Sequence, residues 1–140
     1  MEPTSLQVLV LEDDPMVRRG LSRALRVAGH DVVAVERCSG VRALSHHSHH
    51  GFDVAILDLE LPDGSGVEVA SELLAVGATQ GVVFFSGAYD PALLSRAERF
   101  GAVVAKSENL EPLLQAIDSS RSRHPKGSRR MRPAPRTARR

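Results

Sequence analysis

A chain of 140 residues, 42% hydrophobic and 25% charged, has the size and balance of one globular domain. No apolar run reaches bilayer length, residues 1–7 have no signal-type pattern, and the single cysteine, Cys38, excludes an internal disulfide; a cytoplasmic protein without membrane insertion is expected. The net charge of +1 conceals a split: residues 1–120 hold all 17 acidic residues against 9 bases, a net −8, and residues 121–140 hold 9 bases and no acid, +9.

The elements follow in order. Leu6 to Leu11 reads as a buried strand and ends in Glu12-Asp13-Asp14. Asp14-Pro15 is a helix cap with proline in the first turn, Val17, Leu21, Ala24, Leu25 and Ala28 carry the helix, and Gly29 closes it. Val32–Val35 predicts a second strand, and Gly40 to about Ser48 a poorly marked helix. Val54–Leu57 is the third strand; Val67, Ala70, Leu73 and Leu74 mark a helix ended by Gly77. Val82–Phe85 is the fourth strand, Asp90-Pro91 opens a helix that runs to Gly101, Ala102–Ala105 is the fifth strand, and Leu110 to Ile117 the last helix. Strand and helix alternate five times, and the strands are continuous apolar runs. This predicts an α/β fold, a (βα)5 flavodoxin-like doubly wound parallel sheet of strand order 2-1-3-4-5. The expected domain spans 1–120; the arginine- and proline-rich residues 121–140 form a tail that cannot fold alone.

In such sheets the working site lies beyond the carboxyl ends of the strands. Strand one ends in Glu12-Asp13-Asp14, strand three in Asp58, strand four in Ser86 and strand five in Lys106. The strand order would bring Asp13 beside Asp58. Clustered carboxylates repel and call for a cation, and an all-oxygen site suits Mg²⁺. Lys106, the one lysine in residues 1–120, could pair with Asp58 and with an anion bound to it. A carboxylate so placed is equipped to attack phosphorus and to hold an acyl phosphate. Asp14 reads as a helix cap, not a ligand.

The motifs VLVLEDDP, VAILDLELPDGSG, VVFFSGA and VVAKS, in this order and spacing, resemble the receiver domain of two-component response regulators over residues 6–120. The resemblance implies Asp58 as phosphoacceptor, Asp13 as direct Mg²⁺ ligand, Glu12 acting through water and the backbone carbonyl of Glu60 as a further ligand. It implies Ser86 as the switch hydroxyl, Lys106 as ion-pair partner of the phosphorylated site, and Gly87 as the small residue that leaves room for the phosphoryl group. Two positions depart from the pattern: Val103 stands where the family usually has an aromatic switch residue, and Ser107 where it usually has proline. Tyr89 is the candidate to replace the missing aromatic.

The expected role is a stand-alone receiver, not an enzyme, phosphorylated by a histidine kinase or phosphotransfer protein. It would act on a downstream protein partner through the face of helix four, strand five and helix five, as a monomer or a phosphorylation-dependent dimer. One rival is a phosphate-independent binding module. Another is a nucleic-acid-binding regulator that acts through the basic tail, which lacks aromatic residues for base stacking. An aspartate-nucleophile phosphatase is disfavoured, because such enzymes usually carry Asp-x-Asp on the first strand and a cap domain. The run His46-His47-Ser48-His49-His50 reads as the solvated end of helix two in preference to a metal site, and Cys38 as a small buried hydrophobe.

Overall fold

The computed structural model describes residues 5–47 and 51–123. The polypeptide runs β1 (Gln7–Leu11), α1 (Pro15–Val27), β2 (Asp31–Val35), α2 (Cys38–His47), β3 (Phe52–Leu57), β4 (Glu60–Leu61), β5 (Gly64–Ser65), α3 (Gly66–Ala75), β6 (Thr79–Ser86), α4 (Pro91–Glu98), β7 (Ala102–Ala105) and α5 (Glu111–Arg123). Five strands form one parallel sheet in the order β2-β1-β3-β6-β7, the predicted 2-1-3-4-5 once the short ribbon of β4 and β5 is set aside. That antiparallel ribbon pairs Glu60 with Ser65 and Leu61 with Gly64, and two-residue strands leave no periodicity from which to expect it.

Alternation along the strands sorts the core into two layers. Val8, Val10, Val54, Ile56, Val83 and Phe85 pack with Leu21 and Leu25 of α1 and Leu113 and Ile117 of α5. Leu9, Leu11, Ala55, Leu57, Val82 and Phe84 turn the other way, against Cys38 and Val41 of α2, Val67, Ala70 and Leu73 of α3 and Ala97 of α4. The sheet is thus covered on both faces, which is why its strands read as continuous apolar runs. The edge strands are the exception: β2 and β7 are only half buried, and Val33 is 38% exposed. Strand β6 begins at Thr79, three residues before the predicted start, because the polar stretch Thr79-Gln80 and Gly81 carry no hydrophobic signal.

Local chemistry sets the helix ends. The Asp14 carboxylate accepts from the backbone N–H groups of Met16 and Val17, and that of Asp90 from Ala92, so both acid-proline starts form as predicted. Gly29 and Gly77 take φ of 98° and 72° just past α1 and α3, the left-handed conformation a helix stop favours. Helix α2 is capped from outside its own segment. Asp63, in the turn of the β4–β5 ribbon, accepts from the N–H of Cys38 at 2.8 Å and of Ser39 at 3.0 Å. Cys38 is fully buried and packs as expected; burial pushes its thiol up to about 11. Of the histidine run, His49 and His50 lie outside the described residues, as do residues 124–140 of the tail.

Candidate functional site

Register brings the polar strand ends together. Leu11 of β1 stands opposite Leu57 of β3, so the residues that follow them, Glu12 and Asp58, emerge side by side at the carboxyl edge. The backbone N–H of Asp58 donates to Leu11 O at 3.0 Å, and that of Glu12 to Val35 O at 3.0 Å, which extends the ladder into the site. On the far side Ser86 pairs with Ala105, and the N–H of Lys106 donates to Ser86 O at 3.0 Å. Glu12, Asp58 and Lys106 therefore each stand one step beyond a strand, and Ser86 is the last residue of one.

The centre of the site is an ammonium shared by two carboxylates. Lys106 Nζ lies 2.9 Å from Asp58 Oδ2 and 3.0 Å from Glu12 Oε1. Glu12 and Asp58 are both buried, at 2% and 5% exposure, whereas Asp13 is exposed. Burial is the main reason the Glu12 carboxyl sits above the usual carboxylate range, with the neighbouring charge of Asp58 acting the same way and the Lys106 hydrogen bond opposing them. Burial of Lys106 acts to lower its pKa, but hydrogen bonds to Asp58 and Glu12 outweigh it together, and the ammonium is held above its ordinary value. Lys106 is therefore charged at neutral pH.

One carboxylate oxygen from each of Glu12, Asp13 and Asp58 falls within 4.8 Å of the others. Three carboxylates converging on one point, one of them open to solvent, form a hard all-oxygen donor set that fits a small divalent cation with water in its remaining positions. Glu60 follows Asp58 by two residues in β4, and its N–H donates to Asp58 Oδ1 at 3.4 Å.

Ser86 ends β6, buried, and its Oγ accepts from the N–H of Ala88 at 3.1 Å. That bond holds the hydroxyl in its own turn, and it makes none to Asp58 or Lys106 among the described residues. Beside Gly87 the space is open, with no heavy atom within 4 Å of where a side chain would begin. Val103, half-buried on β7, packs against the core layer on the α4 side of the sheet, as do Leu93, Leu94 and Phe100. Tyr89 is 90% exposed, so its ring does not fill the place that the missing aromatic leaves.

Two contributors escaped the sequence reading. Gly66 packs so tightly on the backbone carbonyl of Asp58 that a Cβ there would collide with it. Asp63 ties the ribbon that follows Asp58 to α2. The glycine two residues after the Asp63-Gly64 turn was the one available signal for the first. For the second, the partner lies 25 residues upstream, beyond any local pattern.

Comparison with known proteins adds the deciding observation. The model of the response regulator receiver domain matches residues 8–118. The chain belongs to the receiver domain family. Members of that family are signalling modules whose general function is to accept a phosphoryl group. The chain is 30% identical over 125 residues to the probable transcriptional regulatory protein NarL of Mycobacterium tuberculosis, covering 87% of this chain and 58% of that protein. It is 32% identical over 111 residues to a cyclic di-GMP phosphodiesterase of Thermotoga maritima, covering 77% of this chain and 29% of that protein. This receiver thus spans little more than half of the NarL-type relative. Among solved structures it resembles the receiver domain of the M. tuberculosis NarL at a TM-score of 0.67 and 26% identity, covering 83% of this chain and 98% of that one. It shares the fold of the response regulator TrrA of T. maritima, solved with Mg²⁺ and a beryllium fluoride, at a TM-score of 0.69 and 23% identity over 81% of this chain and 96% of that one.

Proposed function

We propose that this receiver takes a phosphoryl group on Asp58 from the phosphohistidine of a histidine kinase or phosphotransfer protein, and signals by binding another protein. The observation that carries this reading is the Lys106 ammonium, 2.9 Å from Asp58 and 3.0 Å from Glu12, beside three carboxylate oxygens within 4.8 Å of one another. In the transfer, an oxygen of Asp58 attacks phosphorus, the phosphorus–nitrogen bond of the donor breaks, and an acyl phosphate forms on Asp58. Asp13, Asp58 and the backbone carbonyl of Glu60 would hold Mg²⁺, with Glu12 acting through a water. Bound there, the ion would offset negative charge on the phosphoryl oxygens.

Lys106 then changes partner. In the free state it divides its hydrogen bonds between Asp58 and Glu12; with Asp58 phosphorylated it pairs with the new dianionic group. Ser86 gives up its bond from Ala88 and turns its hydroxyl toward the same group. The open space at Gly87 receives the phosphoryl oxygens. The rearranged loop after β6 alters the surface of α4, β7 and α5, where the downstream partner binds. The reading places the protein in the cytoplasm, in line with the finding that no helix among the described residues is long and apolar enough to cross a membrane.

Intact mass after incubation with acetyl phosphate and Mg²⁺ tests the chemistry. Wild type should gain one phosphoryl group; Asp58→Ala, and wild type without Mg²⁺, should gain none. An adduct that persists in Asp58→Ala would reject Asp58 as acceptor. A second reading, a phosphate-independent binding module, draws on Val103, which leaves the switch without its aromatic ring. It predicts equal partner binding by wild type and Asp58→Ala.

A further inference from the structure

The sequence of α1, PMVRRGLSRALRV, contains four arginines and no acid, inside a body that is otherwise strongly acidic. At 100° per residue, Arg18, Ser22, Arg26, Arg19 and Arg23 fall in that order round one side of the helix, over an arc of about 140°. Leu21 and Leu25, which enter the core, fall on the adjoining side, about 60° and 20° before Arg18. No glutamate or aspartate on α1 stands three or four residues away to neutralise these charges, so like charges face one another along the helix.

Beside the edge strand β2 this side of α1 borders a pocket of about 600 Å³, lined by the four arginines, Gly20, Ser22 and Ala34. Two of the guanidinium groups are fixed by backbone carbonyls. Arg18 Nη1 donates to Glu12 O at 2.9 Å, and Arg26 Nη2 to Val32 O at 3.3 Å. Arg19 and Arg23 are exposed and make no hydrogen bond or ion pair among the described residues. Among the described residues Glu36 alone forms an ion pair with this cluster: it lies 3.8 Å from Arg18 and is itself 58% exposed. Ser22 is 5% exposed, and its Oγ is the one buried side-chain oxygen or nitrogen among the described residues without a hydrogen-bond partner. A buried hydroxyl without a partner is an unfavourable arrangement that a ligand oxygen would relieve.

We propose that the α1–β2 pocket is an oxyanion site that takes the phosphate group of a small phosphate-bearing molecule, free or carried on a nucleotide. Arg19 and Arg23 supply paired N–H donors of the kind that match phosphate, and the Ser22 hydroxyl donates from the floor. A concave site with its neutral donor at the buried end suits a small molecule better than a polymer backbone, which would meet only the exposed guanidinium groups. The site is separate from Asp58. It adjoins the acidic loop through Arg18, which holds the carbonyl of Glu12.

The test is a titration of the ¹⁵N-labelled full chain with inorganic phosphate, pyrophosphate and ADP in turn, without Mg²⁺, in about 0.15 M NaCl so that diffuse attraction is screened. Saturable shifts at the amides around Ser22 and Ala34 are expected with at least one probe. The tightest probe tells whether the group is taken free or on a nucleotide. Arg19→Ala/Arg23→Ala should weaken that binding by about tenfold or more, and Ser22→Ala by several-fold, with the rest of the spectrum unchanged. Shifts confined to residues 121–140, shifts that never saturate, or an unchanged affinity in the double variant would each overturn the proposal.

Discussion

Glu12 and Asp13 are adjacent in sequence and live in different media. Glu12 points into the protein, buried, against the Lys106 ammonium; Asp13 stands in water. In the proposed cation site the two would divide the work: one would fix the electrostatics from inside, the other would keep an open position for an ion that must arrive hydrated. A direct expectation follows for Asp13. An ion that binds the folded protein alone stabilises it by mass action, about 2.7 kcal/mol when its concentration is a hundred times the dissociation constant. Thermal unfolding with and without Mg²⁺ should show that gain in wild type, and Asp13→Asn should lose most of it with little change in the metal-free midpoint. An equal Mg²⁺ shift in both proteins would remove Asp13 from the ligand set.

Among the elements, the ribbon of β4 and β5 does the positioning. It leaves β3 directly after Asp58, turns at Asp63 and enters α3 at Gly66, which rests on the Asp58 carbonyl. Backbone cannot yield as a long side chain can, so Gly66→Ala must push the start of α3 away from the end of β3. The expected loss is about 1–3 kcal/mol in urea unfolding, the range for overpacked sites, together with slower phosphorylation of Asp58. Unaltered stability would mean that the contact is loose. The ribbon also marks the boundary of what the sequence made legible. Asp14-Pro15 and Asp90-Pro91 announced their helices because a cap is a matter of three adjacent residues. Asp58 and Lys106 stood out because a charge at the end of an apolar strand is conspicuous, and strand order then placed them. Two-residue strands carry no periodicity, Asp63 caps a helix from far along the chain, and the half-exposed edge strands keep the apolar pattern of buried ones. Nothing local to Ser22 says that its hydroxyl finds no partner.

At the scale of the whole molecule, stability should depend on acid through the tie between ribbon and α2. The N–H of Cys38, followed by that of Ser39, holds the Asp63 carboxyl below its ordinary value of about 3.9. A carboxylate whose folded pKa is lowered stabilises the fold above its unfolded pKa and loses that contribution as the pH falls through the folded one. Asp63→Ala should therefore be less stable than wild type at pH 7, and denaturant unfolding across a pH series should show the gap closing below about pH 3.9. A gap that stays constant into strong acid would assign the loss to packing instead. The Lys106 ammonium has a consequence of another kind. It joins strand ends that lie 94 and 48 residues before it in the chain, to Glu12 and Asp58. A nascent chain that has emerged only as far as β6 already holds all three carboxylates and lacks their counter-ion. On the proposed reading, competence to accept a phosphoryl group would arrive only once the segment that follows β7 has emerged. In refolding, the capacity to take phosphoryl from acetyl phosphate should rise with the slowest phase of backbone protection, and an earlier rise would contradict that order.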